Sequence, residues 1–250
     1  MCKKNIINYL LLIIILSLLV NSSVAFYFSP VIDRDSVDYM KMAEYISNGH
    51  IEDACKMRPE VPMLYQYILS LGDKVGFYPE LFGKYLSIIC SAILAVLIFY
   101  ISKFFLSIKL SLITSLLFFC NPLIIGSGSA VLRDSFSLLL MGVSVYFILS
   151  GIKEFKIYKY ILAGIFAGLC AQTRISGIEI LAFYPIYICI SFIFFRKYDG
   201  YIFYRDNIFG LIILAVSFLV IAMPIQYYFQ SFGSSYTVFL GHKLLDIYLI

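Results

Sequence analysis

Long apolar runs divided by short polar turns constrain this chain more than any other feature. A helix needs about 20 apolar residues to cross a bilayer. By that length the sequence predicts about seven membrane spans, at residues 6–28, 81–105, 110–125, 135–152, 160–172, 175–195 and 207–229. The run at 160–172 is short for a span and that at 110–125 is marginal.

The composition agrees with a membrane protein. Of the 250 residues, 62% are hydrophobic and 14% are charged, and the mean hydropathy is +0.92. A soluble domain has roughly 45–50% apolar and about 25% charged residues. The sequence therefore predicts an all-α polytopic membrane protein, a single module over residues 1–250 with no soluble domain.

The basic residues lie on one side of this predicted topology. If the amino terminus is cytosolic, the inside segments contain Lys3, Lys4, Lys103, Lys109, Lys153, Lys156, Lys159, Arg196, Lys197 and Arg205. They contain only three acids, Glu154, Asp199 and Asp206. Short basic loops mark the cytoplasmic side of a membrane protein. We therefore expect a multi-pass protein of the cell (inner) membrane whose acidic loop, residues 29–80, faces the periplasm or lumen. No basic cluster is dense enough to indicate nucleic acid binding.

The amino terminus permits a second interpretation, because it also resembles a secretory signal. A basic start at Lys3 and Lys4 precedes an apolar stretch, and Ser23-Val24-Ala25 offers small residues for cleavage. The apolar stretch is long for a signal, which favours an uncleaved first helix. Either alternative leaves the acidic loop outside.

The acidic loop contains two predicted helices. The first covers about residues 36–48, with Ser36 or Asp35 as a natural amino-terminal cap. The second begins near Pro62, a favoured first-turn residue, and ends at Gly72. It is too short to cross the bilayer, so we expect both helices to lie at the membrane surface.

Charged residues in all three predicted outside loops fall at one membrane face. They are Asp33, Asp35, Asp38, Arg58 and Glu60 in the first loop, Arg133 and Asp134 in the second, and Arg174 in the third. A carboxylate can accept the proton of an attacking hydroxyl, and arginine can bind phosphate oxygens through paired donors. The simpler alternative is a set of solvated charges with weak ion pairs. Asp35 stands apart because it begins a helix directly after a membrane exit, where charge is costly and often functional.

The order of these motifs resembles the GT-C superfamily of membrane glycosyltransferases. The similarity is strongest to the branch of dolichyl-phosphate-mannose–protein mannosyltransferases and aminoarabinose transferases. Residues 35–39 (Asp-Ser-Val-Asp-Tyr) resemble its acidic motif after the first span, and residues 58–65 (Arg-Pro-Glu-Val-Pro-Met-Leu-Tyr) resemble its basic–proline motif. The glycine-spaced segment 162–169, followed by Arg174, and the span ending near Pro224 complete the pattern.

The sequence departs from that pattern in three ways. Ser36 stands where the family carries its second acid, so Asp33 or Asp38 would have to complete a metal site. Pro224 lacks the tryptophan and arginine that often follow it. Family members also usually continue beyond this length with further spans.

The resemblance implies a sugar donor carried on a polyprenyl phosphate and an acceptor hydroxyl on a glycan, lipid or protein outside the cytosol. A single displacement would invert the sugar carbon. Asp35 would be the catalytic base, and Arg58 and Arg174 would stabilise the departing lipid phosphate. Tyr39 and Arg133 are further candidate substrate-binding residues, and Asp33 and Asp38 are candidate ligands for a divalent metal, Mg or Mn.

Two other functions remain open at this point. A transporter or flippase would place charge near the bilayer midplane and show internal repeats, but only Glu179 is expected to lie buried within a span and no repeat is apparent. A truncated, non-catalytic assembly partner is the second alternative.

Overall fold

The computed structural model describes residues 3–28, 34–194 and 200–237, and this part of the chain is helical with no strand. The helices in these ranges are α1 (Lys3–Ser23), α2 (Arg34–Ser47), α3 (Ile51–Met57), α4 (Leu64–Lys74), α5 (Pro79–Ser102), α6 (Ile108–Phe119), α7 (Pro122–Ser129), α8 (Arg133–Glu154), α9 (Ile157–Ala171), α10 (Glu179–Phe194) and α11 (Gly200–Gln230). A π-helical turn, Val24–Phe28, extends α1, and a 3-10 turn, Ile175–Ile178, precedes α10. The all-α class is confirmed.

Four helical segments are long and apolar enough to cross a membrane: Ile6–Tyr27, Pro79–Ser102, Arg133–Glu154 and Asn207–Gln230. The pair α6 and α7 makes a fifth if its two halves, bent by 60°, are one crossing. Two further apolar helices, Ile157–Ala171 and Ile175–Ile190, are shorter. The described residues thus support an integral membrane protein with four or five candidate spans, and the predicted count of seven is not confirmed.

The run at 110–125 is broken rather than straight. Its first half ends at Phe119, and Asn121 caps α7 by accepting a hydrogen bond from the Leu123 backbone N–H at 2.9 Å. Pro122 occupies the first turn of α7, where its missing N–H costs nothing. A proline also disfavours helical geometry at the residue before it, which explains why the helix stops there.

The short helix α9 packs between α8 and α11. Ala163, Ala167 and Ala171 are fully buried on it, and its glycines face α11. A Cβ added at Gly164 would overlap the Leu214 carbonyl oxygen, and one at Gly168 would come within 3.0 Å of the Phe218 carbonyl oxygen. Small residues at this spacing let two membrane helices approach closely. Protein encloses much of α9, so this helix is not required to present a full bilayer length to lipid.

The acidic loop forms three helices instead of the predicted two, because α3 lies between α2 and α4. Helix α2 begins at Arg34, so Asp35 and Ser36 lie in its first turn and neither is the predicted cap. A carboxylate in the first turn is favoured by the helix dipole. Helix α4 begins at Leu64, after Met63 as its cap residue, so Pro62 precedes the helix instead of starting it.

Backbone hydrogen bonds fix this loop to the end of the helical bundle. The Leu64 N–H donates to the Gln172 carbonyl at 3.2 Å, which joins the start of α4 to the end of α9. The Pro59 carbonyl accepts from the backbone N–H groups of Ser235 and Tyr236 at 2.9 and 3.0 Å. The turn around Arg58 is therefore held from both α9 and the segment that follows α11.

Candidate functional site

Arg58 connects the acidic motif of α2 to the basic–proline turn. Its Nη1 donates to Asp35 Oδ1 at 2.6 Å and to Asp38 Oδ2 at 3.4 Å, and its Nε lies 3.5 Å from Glu60 Oε1. Residues three apart on a helix lie on the same face, so α2 presents Asp35 and Asp38 together. The hydrogen bond to Asp35 raises the pKa of Arg58, which keeps the guanidinium charged.

Tyr39 lies beneath this cluster and is 1% exposed. Its ring meets the Tyr65 ring edge-on, with 5.8 Å between centroids. The Arg133 Cζ lies 5.6 Å from the Tyr39 centroid, within the range of a cation–π interaction. Burial raises the pKa of Tyr39, with Arg133 the largest of the opposing effects. Tyr39 is therefore a neutral hydroxyl at ordinary pH.

Arg133 retains unused hydrogen-bonding capacity. Its Nη1 is buried and has no hydrogen-bond partner among the described residues. A buried donor without a partner costs free energy, which an incoming oxygen ligand would recover. This arginine begins α8, so its guanidinium stands where the helix dipole also favours an anion.

Arg174 pairs with Asp134, which joins the turn after α9 to the first turn of α8. The Arg174 side chain is 47% exposed. The pair brings together the second and third predicted outside loops, as expected from their placement at one end of the bundle.

Several of these charged groups lie near enough to Tyr39 to influence the pKa of its hydroxyl. The charges that act on Tyr39 are those of Arg133, Asp35, Arg58 and Arg174. The structure thus brings together one carboxylate and three guanidinium groups named from the sequence. This arrangement can bind a phosphate beside a group that accepts a proton.

The described residues do not fit a three-ligand metal site. Asp35 and Asp38 both bind Arg58, whose positive charge occupies the space between them. No group of three or more His, Cys, Asp or Glu side chains within the described ranges has the arrangement for a metal ion. Asp33, the third candidate ligand, lies outside the described residues. Metal dependence stays a prediction.

The sequence analysis did not assign two residues that the structure places at the site. Asp134 was recognised only as a loop charge, and its pairing with Arg174 depends on the three-dimensional meeting of two turns. Tyr236 is 6% exposed and donates to the Ala171 carbonyl at 2.6 Å. Burial raises its pKa, and Arg133 opposes that shift. No local pattern marks Tyr236, because its partner lies 65 residues away in the sequence.

Comparison with known protein families gives one match. The model of the family described as dolichyl-phosphate-mannose-protein mannosyltransferase matches residues 60–228. The match includes Arg133, Asp134 and Arg174, whereas Asp35 and Arg58 precede it. No curated protein matches the chain. The chain belongs to the dolichyl-phosphate-mannose-protein mannosyltransferase family, and it is a membrane glycosyltransferase of the GT-C type.

Proposed function

We propose that this protein transfers a sugar from a polyprenyl-phosphate donor to an acceptor hydroxyl on a glycan, lipid or protein at the periplasmic or luminal face. The observation that carries the proposal is the pairing of Arg58 with Asp35 at 2.6 Å, close to Tyr39, whose ring contacts the Arg133 guanidinium. A carboxylate and several guanidinium groups stand together at one end of an apolar bundle. A lipid-linked phosphate would enter such a site from the membrane with its tail among the helices.

Asp35 acts as the catalytic base in this proposal. Arg58 binds one of its oxygens, Oδ1, which leaves Oδ2 to accept a proton from the acceptor hydroxyl. The side chain is 46% exposed and can be reached by substrate. As the acceptor oxygen bonds to the anomeric carbon, the bond from that carbon to the phosphate oxygen breaks. The proton remains on Asp35, the lipid phosphate leaves, and the sugar carbon is inverted.

The arginines bind the leaving phosphate. Its negative charge grows as the glycosidic bond breaks, so fixed cations there lower the barrier. Arg133 contributes its unpartnered Nη1, and Arg174 exchanges its bond to Asp134 for a bond to the phosphate. Tyr39 holds Arg133 in place through its ring and offers a neutral hydroxyl beneath the site.

Substitution of Asp35 tests this assignment. We expect Asp35→Asn to lower the transfer rate by about 100-fold or more, a typical loss for a general base, because the amide cannot accept the proton. Transfer of labelled sugar from a polyprenyl-phosphate donor in washed membranes is the measurement. Asp38→Asn should have a smaller effect, since Asp38 touches Arg58 only at 3.4 Å.

Asp53→Asn is the matched control. This substitution makes the same chemical change in the same loop, but Asp53 is 60% exposed and its ion pair among the described residues is with His50 at 3.7 Å. Its variant should transfer like the parent protein. Normal transfer by Asp35→Asn together with loss of transfer by Asp38→Asn would move the base to Asp38.

The metal prediction has its own test. If Asp33 or Asp38 binds Mg or Mn, a chelator should abolish transfer and the divalent ion should restore it. Unchanged transfer after extensive chelation would remove the metal from the proposal.

A further inference from the structure

We propose that a groove between α2 and α5 binds the headgroup of a zwitterionic phospholipid that carries a primary ammonium, such as phosphatidylethanolamine. The groove has a volume of about 410 Å³. Helix α2 contributes Lys41 and Glu44 to its lining, and the start of α5 contributes Tyr78, Glu80 and Leu81. This lipid site is separate from the proposed transfer reaction and does not depend on it.

The groove lies on the side of α2 opposite to Asp35. Successive residues of an α-helix are about 100° apart, so Glu44, nine residues after Asp35, points in the opposite direction. Val37 and Met40 line the groove on that same side. A ligand in the groove would therefore not displace a donor bound near Asp35.

The groove offers one free cation and one free anion. Lys41 and Glu44 are exposed, and neither has an ion-pair partner among the residues that the structure describes. Glu80 is already paired, with its Oε1 2.6 Å from the Lys84 Nζ. Lys41 can therefore bind a lipid phosphate while Glu44 accepts hydrogen bonds from an ammonium. An anionic headgroup would meet the repulsion of Glu44, which favours a zwitterionic lipid.

An apolar stripe runs from the groove along α5. Leu81, Tyr85, Ile89 and Ile93 follow one another at helical spacing and are 40–51% exposed. The Phe26 ring, at the end of α1, packs on Tyr85 with 5.7 Å between centroids. The stripe extends into the span Pro79–Ser102, where an acyl chain can lie against it. A headgroup site that continues into an apolar stripe suits a lipid better than a water-soluble ligand.

Tryptophan fluorescence can test the site without background, because the chain contains no tryptophan. Tyr78→Trp places a reporter in the groove at a position that is 77% exposed. Tyr227→Trp is the matched control, because Tyr227 is also 77% exposed, near the end of α11. It lines another groove, whose described lining carries no charged side chain. Each protein is reconstituted in phosphatidylcholine bilayers with a small fraction of phospholipid brominated on its acyl chains, which quenches nearby tryptophan.

Brominated phosphatidylethanolamine should quench Tyr78→Trp more strongly than brominated phosphatidylglycerol or phosphatidylcholine does. Tyr227→Trp should be quenched equally by all three. Adding Lys41→Ala to Tyr78→Trp should weaken the preferred binding by about fivefold, the effect of one basic side chain at a lipid phosphate. Adding Glu44→Gln should remove the preference for the ethanolamine headgroup over the anionic one.

Two results would overturn the proposal. Equal quenching of Tyr78→Trp by the three lipids would mean that the groove is ordinary lipid-facing surface. Stronger quenching by phosphatidylglycerol would mean that Lys41 alone attracts anionic lipid. The Tyr227→Trp signal in the Lys41→Ala background checks folding, because that signal should not change. Sugar transfer is not measured in this experiment, so its outcome is independent of the proposed function.

Discussion

The arginines Arg58 and Arg174 are each held by a carboxylate, yet the two pairs have different roles in the proposed reaction. Arg58 binds Asp35, which must stay in place as the base. Arg174 binds Asp134, which we do not place in the reaction. An exposed ion pair contributes little free energy, so a phosphate can replace Asp134 at small cost. Arg174 is thus held in position before the donor binds and is available when it arrives.

We expect Arg174→Lys to keep part of the affinity for a polyprenyl-phosphate sugar, and Arg174→Ala to lose more. Lysine preserves the charge but not the paired hydrogen bonds that guanidinium makes with phosphate. Donor binding to purified protein in nanodiscs is the measurement. Lys74→Ala, which removes an exposed cation at the end of α4, is the control and should bind donor normally. If all three Arg174 proteins bind donor equally, Arg174 only pairs with Asp134 or extends to lipid headgroups.

At the level of residues, the sequence was enough to propose candidate site residues beside the membrane, but it could not predict which of them form ion pairs. The sequence indicated Asp35 because charge beside an apolar run is costly and needs a reason, and the family resemblance indicated Arg58 and Arg174. It could not show that Asp134 pairs with Arg174, since that depends on how the start of α8 meets the end of α9. It also did not indicate Tyr236, whose burial results from a turn that is distant in sequence.

At the level of elements, length and hydropathy identified the long spans α1, α5, α8 and α11. The same criterion cannot distinguish a helix that faces lipid from one enclosed by protein, as α9 shows. The break between α6 and α7 did have a signal, because Asn121-Pro122 combines a cap residue with a first-turn proline. Hydropathy alone conceals such a break, since both halves are apolar.

Because α9 packs closely on α11, adding one methyl group at their contact should have a large effect on the stability of the protein. Gly164→Ala should destabilise the protein by roughly 1–3 kcal/mol, the usual range for overpacking, because the new Cβ would overlap the Leu214 carbonyl oxygen. Gly126→Ala is the matched control, since a Cβ there meets nothing within 4 Å. Alanine also favours a helix over glycine, so the control should be neutral or more stable. Thermal unfolding in detergent measures both, and equal midpoints would show that α9 and α11 are not tightly packed at Gly164.

For the molecule as a whole, the assigned site residues that the structure describes lie at one end of the bundle. Asp35 lies in the first turn of α2, Arg58 lies in the turn before α4, and Arg174 lies just after the end of α9. The opposite end carries basic residues such as Lys109 and Lys153. Because short basic loops remain in the cytosol, we expect the site to face outward, where a lipid-linked donor and an external acceptor can meet.

Cysteine labelling tests that orientation, and the structure determines which positions can be used. Cys55 lies in the acidic loop but is fully buried, and burial raises its pKa to about 11. The thiolate is the reactive form, so Cys55 should not be labelled at neutral pH.

With Cys2, Cys120 and Cys189 replaced by serine, Asp53→Cys should react with an impermeant thiol reagent in intact cells. Lys109→Cys, in the first turn of α6, should react only after permeabilisation. The parent without either new cysteine should show no label. The reverse pattern would place the acidic loop in the cytosol and rule out an external acceptor.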